Sequence, residues 1–231
     1  FAGLRWFIDH AETISPKNIE RVKALGGGIA IQHRMAYQGE YFVTRYGAKA
    51  AEHAPPIARM LQMGVPVGGG TDATRVASYN PFVSLYWLVT GKTVGGTTLY
   101  GKSNRLDRME ALHLWTVGSA WFTGEEGKKG MLAPGQLADL AVLSRDYFSV
   151  PDEEIKGLES DLTIVGGKAV HAANEFAALA PPPLPVNPGW APQIRSARRR
   201  AEIPGDARWQ RPAEVMHALG PGLFRCGCSV F

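Results

Sequence analysis

Apolar and polar positions along this chain alternate between two periods. Leu4-Arg5-Trp6-Phe7-Ile8 is a short apolar run that reads as a strand, with Asp9-His10-Ala11-Glu12 at its end. Ser15-Pro16 then supplies an N-cap and a first-turn proline, and Ile19, Val22 and Leu25 give the following helix its apolar stripe until Gly26-Gly27 stops it. Gly28 to Gln32 is a second strand ending in His33-Arg34. Tyr37, Tyr41, Phe42 and Tyr46 fall in a stretch expected to be a long loop packed over something. Pro55-Pro56 opens a second helix with Ile57, Met60 and Leu61 inward, and Gly64 ends it. Val65 and Val67 lead into Gly68-Gly69-Gly70-Thr71-Asp72, a third strand followed by glycines that let the backbone turn or something approach closely.

Downstream, Ser78-Tyr79-Asn80-Pro81 caps a helix bearing Phe82, Leu85, Tyr86, Leu88 and Val89, and Thr93 to Asn104 is a Gly-rich loop. Leu106 to Glu110 starts another helix, apolar at Ala111, Leu112, Leu114 and Trp115, running to about Phe122. Beyond the charged turn Gly124 to Lys129 the character changes. Gly130 to Leu143 is turn chemistry entering a short apolar strand, and Leu162 to His171 is a hairpin about Gly166-Gly167. Proline-rich sequence begins at Pro181. The expected division is 1–129, an α/β layer; 130–180, a small β unit; and 181–231, an irregular Pro/Arg-rich tail.

The strand–helix–strand–helix–strand order implies parallel strands whose C-terminal ends lie side by side on one face. His10, His33 and Asp72 occupy three such consecutive ends, where a barrel of this class places its chemistry. Each residue also has an ordinary structural role open to it; Asp72, for one, could simply cap the next helix.

Charge changes this picture little. The 231 residues hold 25 basic and 21 acidic side chains, a net charge of +4, too small an excess to indicate nucleic acid. Part of it is the local run Arg195, Arg198, Arg199 and Arg200, read as a solvated tail rather than a phosphate site. Cys226 and Cys228 are too few for a structural zinc site and poorly spaced for a relaxed disulfide. No apolar run approaches the roughly 20 residues of a membrane span. The chain opens on Phe1 directly into a strand, which suggests a missing N-terminal part. The compartment is read as cytoplasmic.

Phe7-Ile8-Asp9-His10-Ala11-Glu12, Gly70-Thr71-Asp72, Asn80-Pro81-Phe82, Gly135-Gln136-Leu137-Ala138-Asp139-Leu140 and Thr163 to Lys168 together resemble the amidohydrolase superfamily, in its family 3 (YtcJ-like) branch, over about residues 1 to 180. The resemblance implies the C-terminal part of a (β/α)8 TIM barrel, about strands six to eight, plus strands of a small β-sandwich domain. It implies hydrolysis of non-peptide C–N bonds with one or two divalent metals, commonly zinc. His10 would be a metal ligand, and Asp72 both a ligand and the base that takes the proton of the attacking water. His33 would contact substrate, and Arg34, Tyr79 and Asn80 join it as candidate substrate-binding residues. The family's other ligands have no counterpart here, so the fragment alone is expected to be inactive. A deaminase or ester hydrolase on the same barrel, and a non-catalytic fragment that keeps only the fold, are the alternatives. The expected partner is a small-molecule substrate, with no nucleic acid and no membrane; a homo-oligomer is left open. The aromatics at 37, 41, 42, 46, 79 and 87 would line an apolar pocket or fill the core.

Overall fold

The structure is a computed structural model, and it describes residues 3–182 apart from Thr74. Phe1–Pro181 forms one compact unit. Arg195 to Arg200, Cys226, Cys228 and nearly all of the proline-rich stretch lie outside the described residues.

Three strands, β1 (Phe7–Asp9), β2 (Gly28–Gln32) and β3 (Val67–Gly70), form a parallel sheet in chain order. Register places Phe7 beside Gly28, Asp9 beside Ala30, Ala30 beside Gly68 and Gln32 beside Gly70. Neighbours in register share a face, so one face carries Phe7, Asp9, Ala30, Gln32 and the glycines at 28, 68 and 70. The opposite face carries Ile29, Ile31 and Val67, all buried against the helices. At the edge, β1 starts later than Leu4: register with β2 begins at Phe7, with the Trp6 carbonyl accepting from the Gly28 N–H at 3.0 Å; Phe7 and Ile8 remain exposed.

The crossovers are helical. In α1 (Pro16–Ala24) the Ser15 hydroxyl accepts from the Asn18 N–H at 3.3 Å, and Ile19 and Val22 are buried. The stretch expected as an aromatic loop is instead α2 (Arg34–Tyr46). Met35, Ala36 and Gly39 face inward with Phe42 and Val43 packed against the core, a 3–4 spacing that makes one stripe. Aromatics take the remaining faces: Tyr41 and Tyr46 are exposed, and the Phe42 and Tyr46 rings pair four residues apart at 4.7 Å. Tyr41 and Tyr46 thus stay at the surface, Tyr37 and Phe42 pack against the core, and Trp87 is wholly buried in it. Short helices α3 (Ala48–Ala51) and α4 (Ile57–Gln62) lead to β3.

Past β3, α5 (Pro81–Thr90) is buried on nearly every side and ends at Gly91 in the left-handed region, φ 69°. A second long helical run comprises α6 (Arg108–His113), a π-helical turn Leu114–Gly118, and α7 (Ser119–Phe122). Its start is a reciprocal capping box between Asp107 and Glu110. The run lies along the outer edge of β3. The Ser119 hydroxyl accepts from the Gly69 N–H at 3.2 Å and donates to the Gly69 carbonyl at 2.9 Å. Edge groups that would otherwise need a neighbouring strand are thus paired within the chain.

A separate antiparallel sheet holds β4 (Leu140–Leu143), β5 (Ser160–Val165) and β6 (Lys168–Ala172). Gly166 and Gly167, at φ 57° and 77°, make the tight hairpin turn expected of them. Among the described residues, no helix is long and apolar enough to cross a membrane.

Candidate active site

His10 and Asp72 follow β1 and β3 at the same end of the sheet, and the fold brings them together. His10 Nε2 lies 3.6 Å from Asp72 Oδ2, with the two side chains 41% and 44% exposed. Both line a cavity of about 380 Å³ whose floor is the small-residue face of the sheet, with Ala30, Gly68 and Gly70. Phe122 and Ser119 reach into it from α7.

The backbone is strained where these side chains are set. His10, Ala11 and Asp72 have φ of 70°, 57° and 51°; among the described non-glycine residues, only Asn174 shares that sign. Such conformations cost about 1–3 kcal/mol each where the surroundings hold them, and they concentrate at functional sites. The His10 N–H still pairs with the Ala30 carbonyl at 2.8 Å, so the turn begins while the ladder to β2 is intact. Two of the three glycines ahead of Asp72 are required by packing. A Cβ at Gly68 would lie 2.5 Å from the Phe122 ring, and one at Gly69 would lie 2.7 Å from Leu114.

Around His10 is a polar cluster that composition and spacing did not reveal. Gln32 is buried, and its amide Nε2 donates to Glu12 Oε1 at 2.6 Å and lies 3.4 Å from His10 Nδ1. Its Oε1 accepts from the Arg34 N–H at 2.5 Å. The only advance signal was position: Gln32 ends β2 as His10 and Asp72 follow β1 and β3.

The other candidates lie elsewhere. His33 is wholly buried and is not part of the cavity lining; its Nε2 donates to the Ser78 carbonyl at 2.9 Å, and Nδ1 has no hydrogen-bond partner. Burial pushes its pKa below the ordinary value, with the Ser78 contact opposing. The ring so ties the end of β2 to the loop that follows Asp72. The Arg34 guanidinium donates from Nε to Gln38 Oε1 at 2.8 Å. Tyr79 is 76% exposed, and Asn80 accepts from the Phe82 N–H at 2.8 Å as the cap of α5.

A divalent ion fits the His10–Asp72 pair. Tetrahedral ligands at zinc's bond lengths of roughly 2.0–2.2 Å stand about 3.4 Å apart, close to the observed separation. The pair alone is an incomplete set: among the described residues, no group of three or more His, Cys, Asp or Glu side chains is arranged to hold a metal.

The sequence profile of the amidohydrolase family matches residues 1–171, most of the chain. This chain belongs to the amidohydrolase family. Within its family 3 branch, the chain is 28% identical over 166 residues to YtcJ of Bacillus subtilis (strain 168), named as an amidohydrolase; the match covers 70% of this chain and 31% of that protein. It is 26% identical over 163 residues to an N-substituted formamide deformylase of Arthrobacter pascens, covering 69% and 30%. The chain spans about a third of the length of the curated relatives it matches. The structure is similar to that of an uncharacterised metal-dependent hydrolase from Pyrococcus horikoshii OT3, with a TM-score of 0.53 and 26% identity over 63% of this chain and 30% of that one.

Proposed function

We propose that this chain carries part of the catalytic centre of a metal-dependent hydrolase acting on non-peptide C–N bonds of small molecules. The observation that carries the reading is the approach of His10 and Asp72 to 3.6 Å across the open ends of β1 and β3. In this reading, residues 1–129 hold barrel strands six to eight and 130–180 hold strands of the small β-sandwich. Names of relatives support the chemistry: one carries an amidohydrolase name, and another is named for removing a formyl group from an N-substituted formamide.

His10 through Nε2 and Asp72 through Oδ2 would hold the ion, zinc by the preference of an imidazole–carboxylate set. When bound, the ion supplies a Lewis acid and a water of pKa roughly 7. Asp72, half exposed at the cavity, would take the proton of the attacking water and return it to the leaving nitrogen. Gly68, Gly70 and Ala30 keep the cavity floor free of side chains, which leaves room for a substrate. Two ligands fall short of the three that a catalytic zinc site uses, so the remaining ligands would come from outside the described residues, and a chain without them would be inactive.

Equilibrium dialysis of the 231-residue chain against Zn²⁺ tests the pair. Weak binding, lost in both His10→Ala and Asp72→Ala, is expected. Binding that survives both substitutions places the metal elsewhere.

A further inference from the structure

A barrel of parallel strands ordinarily fills its interior with bulky branched side chains from the inward positions. The face of this sheet that bears the cavity carries instead Gly28, Ala30, Gln32, Gly68 and Gly70 on β2 and β3. A Cβ at Gly70 would meet nothing nearer than the Ile31 carbonyl oxygen, at 3.9 Å, so this glycine borders free space. Toward the start of the strands the same face is closed. Phe122 sits on Gly68 and Gly28, where a Cβ would lie 2.5 Å and 3.2 Å from its ring. That ring meets Phe7 edge to face, with centroids 4.8 Å apart. Phe7 precedes His10 by three residues, so this aromatic wall stands about 10 Å along the strand from the His10–Asp72 pair.

Polar groups between the two ends are already engaged. The Ser119 hydroxyl is held by both backbone groups of Gly69, and the Gln32 amide by Arg34 and Glu12. Among the described residues that line the cavity, the carboxylates are Asp9 and Asp72, and none is Lys or Arg. The lining thus offers a flat apolar surface at one end, carboxylates toward the other, and no cation to receive an anion. We infer that the cavity takes an uncharged amide whose substituent is a flat apolar ring, seated against Phe122 while the C–N bond lies at His10 and Asp72. This names the substrate class of the proposed hydrolase and rests on that reading. The volume suits it: about 380 Å³ is near the lower end of the roughly 300–1,000 Å³ of small-molecule sites. A carboxylate on the ring would enter an apolar end unpaired, with Asp9 and Asp72 repelling it.

Acetanilide and para-acetamidobenzoate share a shape and differ in charge. Saturation-transfer NMR on the 231-residue chain reads the binding of each without turnover. Acetanilide should bind, and para-acetamidobenzoate roughly tenfold more weakly. Gly70→Val puts methyl groups into the free space at an ordinary strand position and should weaken acetanilide roughly tenfold. Phe122→Ala removes the wall and should weaken it as well; Gly70→Val serves if that variant does not fold. Equal binding of the two probes overturns the inference, as does an acetanilide signal unchanged by Gly70→Val. Zinc dialysis separates the inference from the hydrolase reading. Acetanilide bound with this selectivity by a chain that takes up no zinc supports the aromatic subsite and removes the metal centre. Zinc uptake without acetanilide binding keeps the metal centre and overturns the substrate class.

Discussion

Asp72 holds a left-handed backbone at φ 51° that glycine would adopt at no cost. A carboxylate kept in such a place at the expense of stability is characteristic of a functional position. Asp72→Gly should therefore raise stability by about 0.5–1 kcal/mol in urea denaturation while zinc retention falls. In a protein supplying the rest of the centre, Asp72→Asn should lower kcat by roughly 10²–10⁴-fold, because the amide keeps a ligating oxygen and loses the base. Near-native kcat in that variant would reduce Asp72 to a turn residue. His33 makes a different prediction. Its folded pKa lies below the ordinary histidine value of 6.5, so the unfolded chain binds the proton more readily. Its contribution to stability is complete above that value and is lost as the pH falls below it. The midpoint of urea unfolding should drop on acidification from neutrality, and His33→Gln should flatten that drop. Sequence placed His10 and Asp72 together because strand ends on parallel strands need only the order of elements. Glu12 and Gln32 could not be paired that way: their contact depends on the register of β1 against β2 and on a turn with positive φ.

At the level of elements, strand and helix boundaries were legible wherever a cap or a glycine marked them, as at Ser15, Asn80, Asp107 and Gly166. The misreading of α2 has a physical cause. Tyrosine and phenylalanine are ordinary strand and loop-packing residues, and four of them within ten positions mask the narrower stripe of Met35, Ala36, Gly39 and Val43. The π-helical turn has no such local marker; it answers to β3, across which it lies. A Cβ at Gly118 would stand 2.3 Å from the Val67 carbonyl oxygen, a backbone atom that cannot step aside. Gly118→Ala should thus cost about 1–3 kcal/mol. Ser119→Ala should cost about 1–3 kcal/mol by orphaning the Gly69 groups. Chemical denaturation measures both, and wild-type stability in Gly118→Ala would mean that the turn does not rest on the strand.

On the scale of the whole molecule, the parallel sheet has two unlike margins. On one, β1 is exposed along its length, with Phe7 and Ile8 at 43% and 39% and Leu4, ahead of the strand, at 65%. On the other, Gly118 and Ser119 occupy the place a further strand would take. Exposed apolar edges recruit partners, so sedimentation at rising concentration should show self-association, and Ile8→Lys should weaken it. A chain that stays monomeric throughout would show that the β1 margin is inert.

The closed margin also decides how far such association can go. An object with an adhesive strip on each flank stacks without limit, as fibrils do; one with a single strip can meet only its own mirror in use, strip against strip, and then has nothing left to offer. The Ser119 hydroxyl, by satisfying Gly69, leaves β1 as the open margin of the parallel sheet, so association through that sheet would stop at a pair related by a two-fold axis.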